Sequence, residues 1–228
     1  MTTTITFQLF AKAPVPGTVK TRLLPALSAA EAALLHTRLV GHSAAAVDAA
    51  RRALPGSRAE LWCAPDCADS VLVAIATRHA LDLRAQQGPD LGARMRHALA
   101  TAMPDRAVLV GSDCPLLDAA LLAQAALALE RASVVFVPTE DGGYALVGCR
   151  GDVPDCFDDV AWSGPAVMHQ TRGRLARSGT AWTELATAWD VDTPTDLERL
   201  ARDTAHASLL DGLAFTAGAQ EEQDRQPL

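Results

Sequence analysis

The chain has 228 residues, of which 49% are hydrophobic and 21% charged, a balance typical of one globular domain large enough to bury a core. Its formal net charge of −7 argues against a general nucleic-acid binder, since affinity for a phosphate backbone needs an excess of basic residues. No stretch approaches the roughly 18 apolar residues that span a bilayer, and no basic segment precedes the first apolar run. We therefore expect a cytoplasmic protein.

Segments typical of strands and helices alternate along the chain. Helix starts are indicated by a capping box of Ser28 and Glu31, by Asp66 and Asp118 as caps, and by Pro194 in a first turn. In chain order, the predicted elements are a strand at 4–11, a helix at 28–53, a strand at 59–64, a helix at 66–79, a strand at 81–86, a helix at 90–103, a strand at 106–113, a helix from 118 to about 131, strands at 133–138 and 144–149, and helices at 164–178 and 192–204.

Strands separated by helices predict a mainly parallel, mixed sheet covered on both faces, a three-layer α/β/α fold. We predict one domain over residues 1–204, followed by a partly ordered tail at 205–228. Ligands of such sheets bind beyond the carboxyl ends of the strands. Polar motifs follow three of the predicted strands, at residues 12–22, at Asp113 and at Asp141.

The cysteines and histidines do not form a metal-binding pattern. Five cysteines without paired CxxC motifs indicate reduced thiols. The segment "CAPDC" could be half of a metal site, but no matching second half follows it. No two histidines have the spacing of metal ligands, so we interpret them as structural or surface residues.

The first predicted strand ends in an unusual loop, "AKAPVPGTVKTRL". Gly17 permits a close backbone approach, the prolines stiffen the loop, and Lys12, Lys20 and Arg22 supply cationic donors. An extended segment would direct Lys20 and Arg22 to the same side. Arginine binds phosphate oxygens with a fork of donors and lysine with a compact charge. The loop therefore predicts a diphosphate or triphosphate site, and a solvated basic turn is the alternative.

Aspartates near strand ends are candidate metal ligands. In "VLVGSDCPLLD" an apolar strand runs directly into Asp113. Mg²⁺ is usually bound through one or two carboxylates together with substrate phosphates. In "AWDVDTPTDLERL" either Asp190 or Asp192 could be the second ligand, and Asp192 could instead cap the following helix. The alternative for Asp113 is likewise a cap or turn residue.

Two further stretches contain polar residues suited to ligand binding. In "PTEDGGYALVG" a glycine pair beside Asp141 suggests a backbone that passes close to a ligand, although a tight turn would use the same residues. In "AQQGPDLGARM" Gln86, Gln87 and Gly88 precede a helix and could contact a base or a sugar.

Taken in order, these stretches resemble the GT-A nucleotide-diphospho-sugar transferase superfamily. The chain reads "FAKAPVPGTVKTRL" at 10–23, "QQGPDLGARM" at 86–95, "GSDCPLL" at 111–117, "DGGYALVG" at 141–148 and "DVDTPTDLERL" at 190–200. The first stretch is similar to the FAKxPxPGxVKTRL start of a small bacterial family of glycosyltransferase candidates. A comparable KTRL loop and DVDTP segment occur in nucleotidyltransferases of the 2-phospholactate guanylyltransferase type.

The resemblance implies roles for individual residues. Catalysis is assigned to Asp113, Lys20 and Arg22, and the metal, Mg²⁺ or Mn²⁺, to Asp113 and Asp192. The nucleotide is assigned to Ala11, Lys12, Pro14, Gly17, Lys20, Arg22, Gln87, Gly88 and Asp113. The substrate is assigned to Asp141, Gly142, Gly143 and Tyr144.

The implied activity is metal-dependent transfer from an activated nucleotide to a small-molecule acceptor. Family naming favours a glycosyltransferase that uses a nucleotide-diphospho-sugar. Sugar transferases of this fold usually contain Asp-x-Asp, whereas Ser112, Asp113 and Cys114 stand here, and this departure favours the nucleotidyltransferase pattern. The alternative is therefore transfer of NMP from an NTP to a phosphorylated or phosphonate small molecule, with release of pyrophosphate. A non-catalytic nucleotide-binding module is a third reading, and a homodimer is left open.

Overall fold

The computed structural model describes residues 4–215. Contacts divide the chain into two compact units. Unit 1 comprises the residues up to Ala13 together with Leu39–Asp190, and unit 2 comprises Pro14–Arg38 together with the residues from Val191 onward. The prediction of one domain over 1–204 stays a prediction, and residues 216–228 of the predicted tail lie outside the described residues.

Unit 1 contains a seven-stranded sheet in the order β3-β2-β1-β4-β6-β5-β7. Among its paired strands, β6 runs antiparallel to β4 and β5, and the other pairs are parallel. The predicted mainly parallel sheet is thereby confirmed. The strands are β1 (Ile5–Lys12), β2 (Arg58–Ala64), β3 (Asp82–Ala85), β4 (Arg106–Val110), β5 (Val134–Pro138), β6 (Tyr144–Arg150) and β7 (Trp182–Glu184).

The direction of the strands defines one functional edge of the sheet. Because six strands share a direction, their carboxyl ends lie together, and the amino end of β6 joins them. We call this the carboxyl edge. In the central pair, Leu9 of β1 stands beside Val110 of β4, and Leu9 also pairs with Leu61 of β2.

Helices cover both faces of the sheet, which confirms the three-layer α/β/α prediction. On one face, buried side chains such as Phe7 and Leu9 share a core with residues of α1, α2 and α4. On the other face, Phe10 and Phe136 share a core with residues of α3 and α5. The helices are α1 (Ala29–Ala53), α2 (Ser70–His79), α3 (Leu91–Ala100), α4 (Ala119–Ala128) and α5 (Val167–Ser178).

A buried polar network ties the sheet to α3. Gln8 of β1 donates to the carbonyl of Ala98 at 2.7 Å and to the carboxylate of Glu60 at 3.1 Å. The same carboxylate accepts from the indole nitrogen of Trp62 at 2.8 Å. These bonds offset the cost of burying a carboxylate on an apolar face.

Unit 2 contains the loop after β1, the first part of α1, the helix α6 (Pro194–Arg202) and two 3-10 turns, Thr21–Leu23 and Ala207–Leu210. The predicted capping box at the start of α1 is confirmed, since Ser28 N and Oγ donate to the Glu31 carboxylate at 2.9 and 2.6 Å. The predicted position of Pro194 at the first helical residue is also confirmed. No helix within residues 4–215 has the length and apolar character to cross a bilayer.

The predicted cap of α2 was wrong, and one short strand was not predicted. The cap of α2 is Asp69, whose Oδ1 accepts from Val71 N and Leu72 N at 3.0 Å each. Asp66, the predicted cap, accepts from Ala68 N in the preceding turn. The three-residue strand β7 was missed because it is too short for a period-2 pattern. Asp118 does cap α4, accepting from Leu121 N at 2.7 Å.

The cap assignment predicts unequal effects of two aspartate substitutions. Asp69→Ala removes the acceptor of two backbone N–H groups at the start of α2, so it should lower the free energy of unfolding by about 1 kcal/mol. Asp66→Ala, the matched control three residues earlier, should lower the free energy of unfolding by clearly less. Urea denaturation followed by circular dichroism measures both. Equal losses would show that Asp69 does not act as the cap.

Candidate functional site

A lysine and an aspartate lie at the ends of neighbouring strands, at the centre of the carboxyl edge. Lys12 is the exposed last residue of β1. Asp113 is half-buried and lies in the turn that follows β4. Because Leu9 pairs with Val110, Lys12 and Asp113 each lie three residues beyond the same paired position. Two motifs that are about 100 residues apart in the sequence thus follow adjacent parallel strands.

A second aspartate reaches this edge in unit 1. The segment before it continues beside β5, since Ala188 N donates to Pro138 O at 2.8 Å and Glu140 N donates to Ala188 O at 3.1 Å. Asp190 follows two residues later. Its negative charge, after the larger effect of burial, raises the pKa of the Cys114 thiol to about 12. Asp190 therefore lies close to Cys114, the residue next to Asp113.

The donor set at this edge fits a hard divalent cation that arrives with a phosphate ligand. Within residues 4–215, no group of three or more His, Cys, Asp or Glu side chains could hold a metal by itself. Mg²⁺ typically takes one or two carboxylates and completes its shell with water and substrate phosphates. Asp113 and Asp190 are carboxylates of that kind. The second-ligand prediction for Asp192 stays a prediction.

The "DGGY" segment forms a tight turn between β5 and β6. Asp141 Oδ1 accepts from Thr139 Oγ1 at 2.5 Å and from Gly143 N at 3.0 Å, so this oxygen holds the turn together. Gly142 has a φ of +90°, and a Cβ there would lie 2.0 Å from the carbonyl oxygen of Pro165. Only glycine fits that close approach.

Tyr144, predicted to bind substrate, directs its ring into an apolar cluster. The ring centroid lies 5.1 Å from that of Phe136 and 6.5 Å from that of Trp162. Its hydroxyl lies 3.9 Å from the sulfur of Met95. Burial raises the pKa of Tyr144 well above its usual value. The ring is therefore suited to shaping the wall of a site rather than to exchanging a proton.

The stretch predicted to contact a base or a sugar, Gln86 to Gly88, precedes α3. Gln86 connects the end of β3 to β2, because its side-chain nitrogen donates to Trp62 O at 2.9 Å and its backbone N donates to Cys63 O at 2.9 Å. The next two residues, Gln87 and Gly88, are exposed. Ala11, predicted to bind nucleotide, is buried, so it offers a ligand only its backbone.

The loop of unit 2 is not extended, contrary to the prediction. Lys20 has left-handed backbone angles, with φ of 50° and ψ of 37°, and residues Thr21–Leu23 form a 3-10 turn. Lys20 and Arg22 therefore do not project side by side from a strand-like segment. The reason is that Gly17, with a φ of +81°, reverses the chain before it enters the turn.

Within unit 2, Lys20 and Asp192 form an ion pair. The Lys20 ammonium donates to Asp192 Oδ1 at 2.9 Å and to Val191 O at 2.8 Å. The Lys20 side chain is 3% exposed and that of Asp192 is 39% exposed. Asp192 does not cap α6, because Thr193 is the cap and forms a capping box with Asp196. In contrast to Lys20, Arg22 is exposed.

Residues 151–166, between β6 and α5, contain a partly exposed tryptophan, Trp162, that belongs to none of the sequence motifs. The sequence offers Asp190 only as an alternative to Asp192 for the second metal ligand. The sequence signal for Trp162 was a lone aromatic residue in a polar, glycine- and proline-containing stretch, which is too weak to assign a role. Tertiary contacts bring it beside Tyr144.

The ion pair of unit 2 predicts a large effect on stability. Asp192→Ala removes the carboxylate partner of the buried Lys20 ammonium, so it should lower the free energy of unfolding by about 1–3 kcal/mol. Lys20→Met combined with Asp192→Ala should recover most of that loss, as a double-mutant cycle would show. The control Glu198→Ala breaks an exposed pair with Arg202 and should cost under about 0.5 kcal/mol. Additive losses at Lys20 and Asp192 would contradict the coupling.

Comparison with known proteins supports a transferase-like fold. A crystal structure of a protein from Desulfovibrio desulfuricans G20, named as a candidate nucleotide-diphospho-sugar transferase, is 31% identical. The match covers 91% of this chain and 90% of that chain, with a TM-score of 0.78. No curated protein sequence matches the chain at a significant level.

More distant structures share the fold alone. CMP:2-keto-3-deoxy-manno-octonic acid synthetase complexed with CTP is 13% identical over 86% of this chain and 95% of that chain, with a TM-score of 0.52. Glucosyl-3-phosphoglycerate synthase from Mycobacterium tuberculosis, in complex with Mn²⁺, UDP and glucosyl-3-phosphoglycerate, is 13% identical over 92% of this chain and 79% of that chain, with a TM-score of 0.51.

The predicted GT-A-like fold class is thereby confirmed. The assignment to the small FAKxPxPGxVKTRL family stays a prediction. A family model described as "Uncharacterized protein conserved in bacteria (DUF2064)" matches residues 46–164, just over half of the chain. The protein therefore belongs to the DUF2064 family and has the fold of GT-A-like nucleotidyl- and glycosyltransferases.

Proposed function

We propose that the protein is a metal-dependent transferase that acts on an activated nucleotide, with glycosyl transfer from a nucleotide-diphospho-sugar to a small-molecule acceptor as its main activity. One observation carries the proposal. Asp113 follows β4 and Asp190 follows a segment bridged to Thr139 beyond β5, so both lie at the carboxyl edge of unit 1, in the fold of a 31% identical nucleotide-diphospho-sugar transferase candidate. Two carboxylates and a neighbouring lysine are the donor set that a metal-bound diphosphate requires.

Each residue has a separate role in this proposal. Asp113 and Asp190 hold Mg²⁺ or Mn²⁺, which would neutralise negative charge on the departing phosphate group. Lys12 contributes a cation from the end of β1. Gln87 and Gly88 contact the base or sugar, and the turn of Asp141, Gly142 and Gly143 borders the acceptor. We also propose that the protein is located in the cytoplasm.

The loop of unit 2 is proposed to bind phosphate oxygens chiefly through Arg22. Arg22 is exposed, so its guanidinium can donate two hydrogen bonds to phosphate oxygens without breaking a buried contact. Lys20 and Asp192 would support the loop through their ion pair, and engagement of either one by a ligand would require that pair to open.

A second candidate activity is nucleotidyl transfer from an NTP, with release of pyrophosphate. The observation that favours it is the run Ser112, Asp113 and Cys114, which lacks the Asp-x-Asp pattern usual in sugar transferases of this fold. Product analysis separates the two activities. Sugar transfer releases NDP or NMP, whereas nucleotidyl transfer releases pyrophosphate. Nucleotide binding without turnover of any donor and acceptor pair would support a binding module instead.

The metal role of Asp113 predicts the effect of a nearly isosteric substitution. Asp113→Asn keeps the size of the side chain but removes its charge, so Mn²⁺ should no longer strengthen nucleotide binding. The control Asp118→Asn changes the cap of α4 five residues later and should leave the Mn²⁺ effect intact. Thermal shift with nucleotides and nucleotide sugars, with and without Mn²⁺, measures this, since a ligand that binds the native state raises Tm. An unchanged Mn²⁺ effect in Asp113→Asn would assign Asp113 to the turn.

The phosphate role of Arg22 predicts weaker binding and lost discrimination. Hydrogen bonds to charged groups contribute about 1.5–3 kcal/mol, so Arg22→Ala should weaken NDP binding roughly ten- to a hundredfold. The variant should also discriminate less between NDP and NMP. Arg131→Ala, an exposed arginine before the amino end of β5, is the matched control. Calorimetry at fixed Mn²⁺ decides the question, and equal NDP affinity of wild type and Arg22→Ala would make the loop a solvated basic turn.

A further inference from the structure

Residues 151–166 of unit 1 cross from β6 to α5 without regular helix or strand structure, yet they are fixed at several points. Arg96 of α3 donates to Asp155 at 3.1 Å and to Asp158 at 2.6 Å. Arg174 of α5 donates to the carbonyl of Asp159 at 2.8 Å. We call these residues the β6–α5 segment. Contacts from two helices on the same face of the sheet give it a defined path.

The backbone of this segment is constrained on both sides of Trp162. Asp159 and Ser163 both have positive φ values, 51° and 67°, in a region that residues other than glycine adopt infrequently. Between them, Trp162 N donates to Val160 O at 2.9 Å, and Ala161 N donates to the side chain of Gln170 at 2.9 Å. Such conformations persist only where the surroundings impose them, and they occur often at ligand-binding positions.

The indole ring of Trp162 is wedged between α3 and the start of β6. A Cβ added to Gly92 would lie 2.6 Å from Cζ2 and 2.8 Å from Nε1 of Trp162, so glycine is needed there for the ring to approach. The ring also meets Tyr144 edge to face, with centroids 6.5 Å apart. The residue remains partly exposed. Trp162 is thus packed against two neighbours while remaining only partly buried.

These contacts place Trp162 at the carboxyl edge. Gly92 belongs to the first turn of α3, four residues after Gly88. Tyr144 begins β6, directly after the Asp141–Gly143 turn. Helix α5, which follows the segment, also contacts this turn, since Met168 N donates to Gly142 O at 2.8 Å. Trp162 therefore lies between Gln87 and Gly88, proposed to contact the base or sugar, and the Asp141–Gly143 turn, proposed to border the acceptor.

We propose that Trp162 stacks against the sugar ring of a nucleotide-diphospho-sugar and so determines selection of the sugar-bearing nucleotide over the bare nucleotide. An indole presents a flat apolar face, which suits the apolar C–H face of a pyranose. This inference rests on the proposed function.

The experiment compares each nucleotide sugar with its own nucleotide. UDP and UDP-glucose, GDP and GDP-mannose, and ADP and ADP-glucose are titrated by calorimetry with Mn²⁺ against the full chain. For the pair that binds, Trp162→Leu should lose about three- to tenfold affinity for the sugar nucleotide and under about twofold for the bare nucleotide. Trp162→Phe, which retains an aromatic face, should keep most of the wild-type preference for the sugar nucleotide over the bare nucleotide.

Trp182→Leu is the matched control, because Trp182 is also a partly buried tryptophan of the same core but lies at the amino end of β7, beside Val134. It should leave both affinities unchanged. Equal losses for sugar nucleotide and bare nucleotide in Trp162→Leu would show that Trp162 only supports the fold and would overturn the stacking inference alone. Failure of the wild type to bind any of the six ligands would overturn the proposed function and, with it, this inference.

Discussion

The parallel pairing of β1 with β4 is the constraint on which the site in unit 1 depends. It aligns the carboxyl ends of two buried strands, so that Lys12 and Asp113 follow them at the same edge. A slip of β4 by one residue in this register would turn its side chains to the opposite face of the sheet, which the two separate cores do not permit. Packing of the core thus fixes the relative position of two residues that the core itself does not contain.

Electrostatics explains why this edge suits a ligand that brings a cation. Asp190 lies close enough to Cys114 to raise the pKa of its thiol, and Asp113 is the adjacent residue. Carboxylates at this edge would attract a divalent cation. The edge also contains Lys12, which can meet the oxygens of a phosphate. This distribution of charge suits a metal-bound diphosphate better than it suits a neutral ligand.

The two lysines of the opening motif differ in environment although the sequence presents them alike. Lys12 is exposed at the end of a strand, while Lys20 is buried against Asp192 in unit 2. Burial of an ammonium is tolerated only when hydrogen bonds compensate for lost hydration, and here a carboxylate and a carbonyl do so. The pair joins the loop to the segment before α6 within unit 2 and leaves Arg22 as the exposed cation of the 3-10 turn.

The sequence by itself determined the α/β/α class, the capping box of Ser28 and Glu31, and the position of Asp113 and Asp141 after strands, because these features follow from local periodicity and cap chemistry. Tertiary structure decided what depends on partners distant in the chain. It paired Lys20 with Asp192, brought Asp190 beside Cys114, and placed Trp162 against Gly92 and Tyr144. Such contacts have no local signature, since a side chain's charge or ring does not specify which remote residue it will meet.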